Sequence, residues 1–175
     1  MDLSKKLYTS VITFVITLIL VGIFCYVLPR LILVADLPLF ALEMNVFLFI
    51  GLVPIILGIV TMIGYMWGFM VGGTGTPTQY DIPEELIVWG SYRFVRNPMY
   101  VGHCLLLLGQ AILFKSFGFL IYLVVFFLLL HLLVVFIEEP MLKHEFGELY
   151  EQYCKSVPRW IPRLRPFHGN ISKSR

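Results

Sequence analysis

The sequence predicts an all-α membrane protein of about four transmembrane helices, two of them joined as a helical hairpin, followed by a cytoplasmic amphipathic helix. Three observations predict it. Apolar residues make up 59% of the 175-residue chain and charged residues only 14%, more apolar surface than a domain of this size can bury, and the mean hydropathy of +0.87 agrees. Four apolar segments, Leu7–Leu28, Val46–Met70, Tyr100–Phe114 and Phe117–Ile137, reach or approach the roughly 17–25 residues that cross a bilayer. The basic residues also divide unevenly between alternate connections. Lys5, Lys6, Arg93, Arg96, Lys143, Lys155, Arg159, Arg163, Arg165, Lys173 and Arg175 fall on one side, against Arg30 and Lys115 on the other. Because short loops rich in Lys and Arg stay in the cytoplasm, both termini are expected inside, as an even number of spans requires.

The first segment follows Lys5-Lys6 as a secretion signal would, but it is too long for such a signal and no small-x-small cleavage site ends it. It reads as a retained helix, broken at Pro29-Arg30, with Asp36-Leu37-Pro38 in a short outer loop. The second helix contains Pro54 beside Gly51 and Gly58, a combination that permits a kink and close helix contact. Gly72-Gly73-Thr74-Gly75-Thr76-Pro77 lacks the Gly-Lys-Ser/Thr of a phosphate-cradling loop, and is expected to act as a hinge or lid over the inner face. Trp89 and Tyr92 after it suit the membrane interface.

The third segment is short and is expected to turn tightly into the fourth across Lys115-Ser116. The fourth leaves the bilayer at Glu138-Glu139, and Pro140 suits the first turn of a new helix, where its missing N–H costs nothing. Leu142, Phe146, Leu149, Tyr150 and Tyr153 then recur at helical spacing opposite Lys143, Glu145, Glu148, Gln152 and Lys155. This predicts one amphipathic helix on the inner surface, ended by Pro158 and Pro162. The chain thus divides into two N-terminal helices (1–70), a loop, hairpin and amphipathic helix (71–165), and a basic tail (166–175).

The formal net charge of +2 is modest. The basic tail suits anionic lipid headgroups, and nucleic-acid binding is not indicated. Cys25, Cys104 and Cys154 show no CxxC spacing, so they read as small buried hydrophobes and no metal site is expected. His103 and His131 fall at similar depth on the two arms of the hairpin. No further haem signature accompanies them, and interhelical hydrogen bonding accounts for them. Charged and aromatic groups gathered at the inner end of an apolar hairpin are costly unless paired or used, which places a binding site there.

The residues there form a pattern: Gly90-Ser91-Tyr92-Arg93, Arg96-Asn97-Pro98-Met99-Tyr100-Val101-Gly102, Glu138-Glu139-Pro140, then Phe146-Gly147-Glu148-Leu149-Tyr150, Tyr153 and Val157-Pro158-Arg159. Over roughly Gly73 to Pro162 it resembles the isoprenylcysteine carboxyl methyltransferases and the related phospholipid methyltransferases, membrane enzymes that use S-adenosylmethionine. The resemblance implies a cofactor held by the hairpin, the loop before it and the amphipathic helix after it. A lipophilic acceptor would enter sideways from the bilayer. Carried over, Asn97, Tyr100, Gly102 and the acidic pair Glu138 and Glu139 would surround the methionine portion, and Tyr92 the adenosine. Arg96, His103, Tyr150 and Tyr153 complete the cofactor-binding set, with Glu139 and His131 as catalytic candidates, His131 as a base toward an amine.

The chemistry is compatible. An ammonium needs a carboxylate, a carboxylate needs a donor such as Asn97, and adenine and sulfonium need apolar or aromatic walls. Gly102 and Gly109, seven apart on one helix face, would let a ligand or a helix backbone come close. Arg93 and Arg96 would equally suit phospholipid headgroups. The chain departs from the prenylcysteine enzymes in carrying Asn97 where they have His, and in the wholly apolar run Leu132–Ile137 where they place an arginine. The acceptor is therefore left open among carboxylates, thiols and amines. The family would place the protein in the endoplasmic reticulum of a eukaryote or the plasma membrane of a prokaryote. Two other classes compete: a non-catalytic membrane scaffold, and a sterol-reductase-like oxidoreductase needing a nicotinamide site and more helices. Cofactor binding separates the first from both.

Overall fold

A computed structural model describes residues 3–32, 46–72, 86 and 88–167. The expected outer loop at Asp36-Leu37-Pro38, the lid from Gly73 onward and the basic tail beyond Phe167 lie outside the described residues. Among the described residues every regular element is helical.

Helix α1 (Leu3–Gly22) continues through a π turn (Ile23–Val27) into α2 (Leu28–Ile32). Pro29 therefore does not break the first helix, as its sequence suggested. In the π turn the Leu28 N–H reaches back five residues to the Ile23 carbonyl, and the widened turn accommodates a proline that would otherwise clash with the preceding turn.

Helix α3 (Val46–Gly72) packs along α4 (Pro98–Leu113). Two glycine pairs form the seam. A Cβ on Gly58 would lie 2.9 Å from the Gly102 carbonyl, and one on Gly51 2.9 Å from that of Gly109. The pairs are seven residues apart on each helix, so they share one face and let two apolar helices cross in backbone contact.

The hairpin turns where expected. Lys115 takes a positive φ of 49°, and the Ser116 hydroxyl accepts the Phe119 N–H at 3.4 Å to cap α5 (Phe117–Leu133). A second π turn, Val134–Glu138, leads from α5 into α6 (Glu139–Phe146). The single amphipathic helix expected after Pro140 is in fact two. Gly147 adopts φ 53° and closes α6 with its N–H on the Lys143 carbonyl at 2.9 Å, and α7 (Glu148–Ser156) starts anew. Only a residue without Cβ takes that backbone cheaply, so the break is written into the glycine.

Cys25, Met62, Leu106, Leu107, Ala111, Phe119 and Phe126 form the interior between these helices. The outer faces are equally apolar: Phe49, Val53, Ile56, Val60 and Ile63 on α3, and Ile121, Val124, Leu128 and Leu132 on α5, are exposed. Two helices, Val46–Gly68 and Phe117–Phe146, are long and apolar enough to cross a membrane, while Leu18–Leu31 and Pro98–Leu113 are shorter. Exposed apolar bands of this extent are what a bilayer, rather than water, solvates.

Candidate functional site

The polar residues converge at the end of the hairpin where α4 begins and α5 ends. The approach to α4 is a 3₁₀ turn, Gly90–Arg93, seated on α3. Gly90 has φ +57°, and a Cβ there would collide with the Gly64 carbonyl. The Ser91 hydroxyl donates to the Thr61 carbonyl at 2.9 Å. The Tyr92 ring packs against Tyr65, centroids 6.0 Å apart, and its carbonyl accepts the Tyr153 hydroxyl at 2.7 Å. Burial pushes the phenols of Tyr92 and Tyr153 up, so both remain protonated donors at physiological pH.

The second π turn separates the two acids. The Glu139 N–H bonds five residues back to Val134, and the extra residue in the turn re-aims α6 relative to α5. Glu138 faces α4, where its carboxylate accepts the Tyr100 hydroxyl. Glu139 faces the C-terminal segment. Arg159 donates to both its oxygens, Nε at 2.6 Å and Nη2 at 2.7 Å, and Arg96 Nη1 stands 3.0 Å from Oε1. This bidentate bond holds the Arg159 guanidinium above its ordinary value. Arg96 Nη1 also lies 2.6 Å from Cys154 Sγ.

Backbone bonds complete the closure: Arg96 N–H to Pro158 O at 2.9 Å, Arg163 N–H to Phe94 O at 3.0 Å and Phe167 N–H to Arg93 O at 2.9 Å. Asn97 joins in, donating one amide N–H to the Arg159 carbonyl at 3.1 Å. Tyr150 and Tyr153 are buried with Val157 beneath this segment.

The two histidines occupy different settings, and neither ring bonds between helices as expected: His103 bonds within α4 and His131 bonds to the non-helical segment after α7. His103 is 2% exposed, with Nδ1 2.8 Å from the Met99 carbonyl. A carbonyl only accepts, so Nδ1 carries the proton, and Nε2 is a buried lone pair with no partner among the described residues. His131 is the converse. Its Nδ1 accepts the Trp160 indole N–H at 3.1 Å, which leaves the neutral ring's proton on Nε2. His131 is thereby held as a donor, and would act as a base only by giving up Trp160.

Of the residues expected from sequence, Tyr92, Arg96, Asn97, Tyr100, Glu138, Glu139, Tyr150 and Tyr153 gather at this end of the hairpin. Gly102 sits in the seam, where a Cβ would meet Met62 Cγ at 2.7 Å, so of the two roles its spacing suggested it fills the helix-contact one. His131 lies eight positions before Glu139 on the same helical run. Sequence reasoning gave no role in the site to Arg159, although it stood in the Val157-Pro158-Arg159 pattern, read Cys154 only as a small buried hydrophobe, and overlooked Trp160. An arginine just past an amphipathic helix, with an unmatched acid pair upstream, was the available signal for Arg159.

A family model described as phospholipid methyltransferase matches residues 46–149, from the start of α3 into α7. The chain belongs to the phospholipid methyltransferase family, a family of methyltransferases. No curated protein and no solved structure matches it.

S-adenosylmethionine fits the groups present. Its ammonium needs a carboxylate not already neutralised, and its donors need acceptors. Glu138, engaged among the described residues by the Tyr100 hydroxyl alone, meets the first need, and the orphaned Nε2 of His103 is an acceptor of the second kind.

Proposed function

We propose that the chain is an integral membrane methyltransferase that moves a methyl group from S-adenosylmethionine to a lipophilic or lipid-anchored small acceptor, a carboxylate, thiol or amine. The observation that carries this reading is the division of labour in the acid pair. Glu139 is neutralised by two arginines and locks the C-terminal segment over the site, while Glu138 keeps a carboxylate supported, among the described residues, by a tyrosine hydroxyl.

Glu138 and Tyr100 would hold the methionine end of the cofactor, with the second amide N–H of Asn97 toward its carboxylate. Tyr92 and Tyr65 would form an aromatic wall. The bound cofactor supplies an electrophilic methyl group on sulfur. What the chain must add is alignment and dryness: Tyr100 orients Glu138, and the Glu139–Arg159 pair and the Tyr153–Tyr92 bond keep the cover closed against water. A carboxylate acceptor arrives ionised and needs no base, whereas an amine must lose a proton. The acceptor would come from the bilayer along the apolar flank of α5. In this reading four helices cross the membrane, α4 as a short span, and both termini are cytoplasmic.

Calorimetric titration of the detergent-purified protein with S-adenosylmethionine and with S-adenosylhomocysteine tests this. Saturable binding is expected. Glu138→Gln should weaken it by the worth of one charge-assisted hydrogen bond, about 1.5–3 kcal/mol or roughly 10- to 100-fold in Kd. Absence of binding by a folded protein would sink the methyltransferase reading, and unchanged affinity in Glu138→Gln would remove Glu138 from the site.

A further inference from the structure

The segment from Val157 to Phe167 has no helix, yet it is held at defined depths against the hairpin. Arg159 pairs with Glu139 at the polar end of α5–α6, whereas the next residue, Trp160, donates to His131 and sets its ring edge-on to Phe127, centroids 5.0 Å apart. Glu139 and His131 are eight residues apart on a helical run, about 12 Å at 1.5 Å per residue. Two consecutive residues thus reach opposite sides of the boundary between the charged cluster and the apolar flank. The strap lies along that boundary.

What it presents outward is apolar. Ile161 is 79% exposed and Leu164 is 99% exposed, followed by exposed Arg165. Nothing among the described residues covers these two large aliphatic groups, held out on a segment pinned by Arg163 N–H to Phe94 O and Arg163 Nη1 to Ser156 O at 2.7 Å. Trp160, next to Ile161, ties the strap to α5 at Phe127 and His131, and the neighbouring residues Leu128 and Leu132 of α5, with Phe136 in the π turn, are also exposed. A helix long enough to span a membrane thus carries exposed apolar residues beside the two positions to which the strap is tied.

We propose that residues 160–165 are an interfacial membrane anchor: Ile161 and Leu164 insert at the headgroup–acyl boundary of the leaflet holding the site, and Arg165 meets lipid phosphates. A tryptophan, two aliphatic side chains and a flanking cation are the side-chain types that boundary favours. The anchor fixes the depth of Arg159 and hence of the cover over the acid pair. It requires that α5 sits in a bilayer and does not depend on methyl transfer.

The test uses the full chain in lipid nanodiscs, with Leu164→Cys labelled by a small fluorophore and the unsubstituted chain labelled in parallel as the blank for Cys25, Cys104 and Cys154. Lipids brominated along their acyl chains should lower the emission roughly twofold while aqueous iodide leaves it nearly unchanged, as for a group several ångströms below the headgroups. Quenching by iodide and not by brominated lipid would overturn the proposal by putting the strap in water. Protection from both quenchers would overturn it equally, by showing that protein covers the strap. Because position 164 is almost fully exposed, the label disturbs no packing. No cofactor is needed, so the outcome is separable from that of the binding titration.

Discussion

At the scale of single residues the decisive feature is that two adjacent glutamates do different work. Glu139 is mostly shielded and held by Arg159 and Arg96, so Glu139→Gln should act first on stability. A pair intermediate between exposed and buried loses about 2 kcal/mol when one partner goes, and thermal unfolding in detergent should record it for both Glu139→Gln and Arg159→Ala. Tyr100→Phe removes only the hydroxyl on Glu138, and should leave thermal unfolding nearly unchanged while weakening S-adenosylmethionine several-fold by calorimetry. Equal losses of stability in Tyr100→Phe and Glu139→Gln would contradict this division. The sequence made both acids legible as a pair at the end of a span. It could not say which was spent, because Arg159 approaches from twenty residues downstream, and an ion pair between a loop and a helix end leaves no periodic trace.

Elements explain where sequence reading succeeded and where it stopped. The hairpin turn at Lys115-Ser116 and the apolar runs of α3 and α5 were legible because length and composition alone define them. The glycine spacing was legible on each helix separately, and only packing revealed that Gly51 and Gly58 meet Gly109 and Gly102. Gly102→Ala should therefore overpack the seam at a cost of about 1–3 kcal/mol, measurable as a lower melting temperature in detergent. An unchanged melt would mean that α3 and α4 separate easily. The π turns were not legible, since a π turn and an α turn can hold the same apolar residues. The break at Gly147 was overlooked because helical periodicity runs through it. Across that break Lys143 of α6 pairs with Glu151 of α7 at 2.6 Å, and this partner lowers the Glu151 carboxyl below its ordinary range. A depressed acid stabilises the fold above its unfolded value and loses that contribution as pH falls through the lowered one. Acidification through the low carboxylate range should loosen α6 from α7, and Glu151→Gln should abolish that pH dependence in a hydrogen-exchange measurement on α7.

For the whole molecule, the order of parts along the chain matters. The residues matching the family model end at position 149, yet the bidentate partner of Glu139 and the groups that cover Asn97 and engage His131 come later, at Arg159 and Trp160, and further backbone ties run from Arg163 and Phe167 back to Phe94 and Arg93. During synthesis the hairpin and its acids therefore exist before anything can close over them. Until the strap folds back, Glu139 has Arg96 as its partner and lacks the bidentate bond of Arg159. A chain stopped after Ser156 would keep every described helix and lose the Arg159 half of that arrangement, so residues 157–167 decide whether the earlier-formed site stays closed.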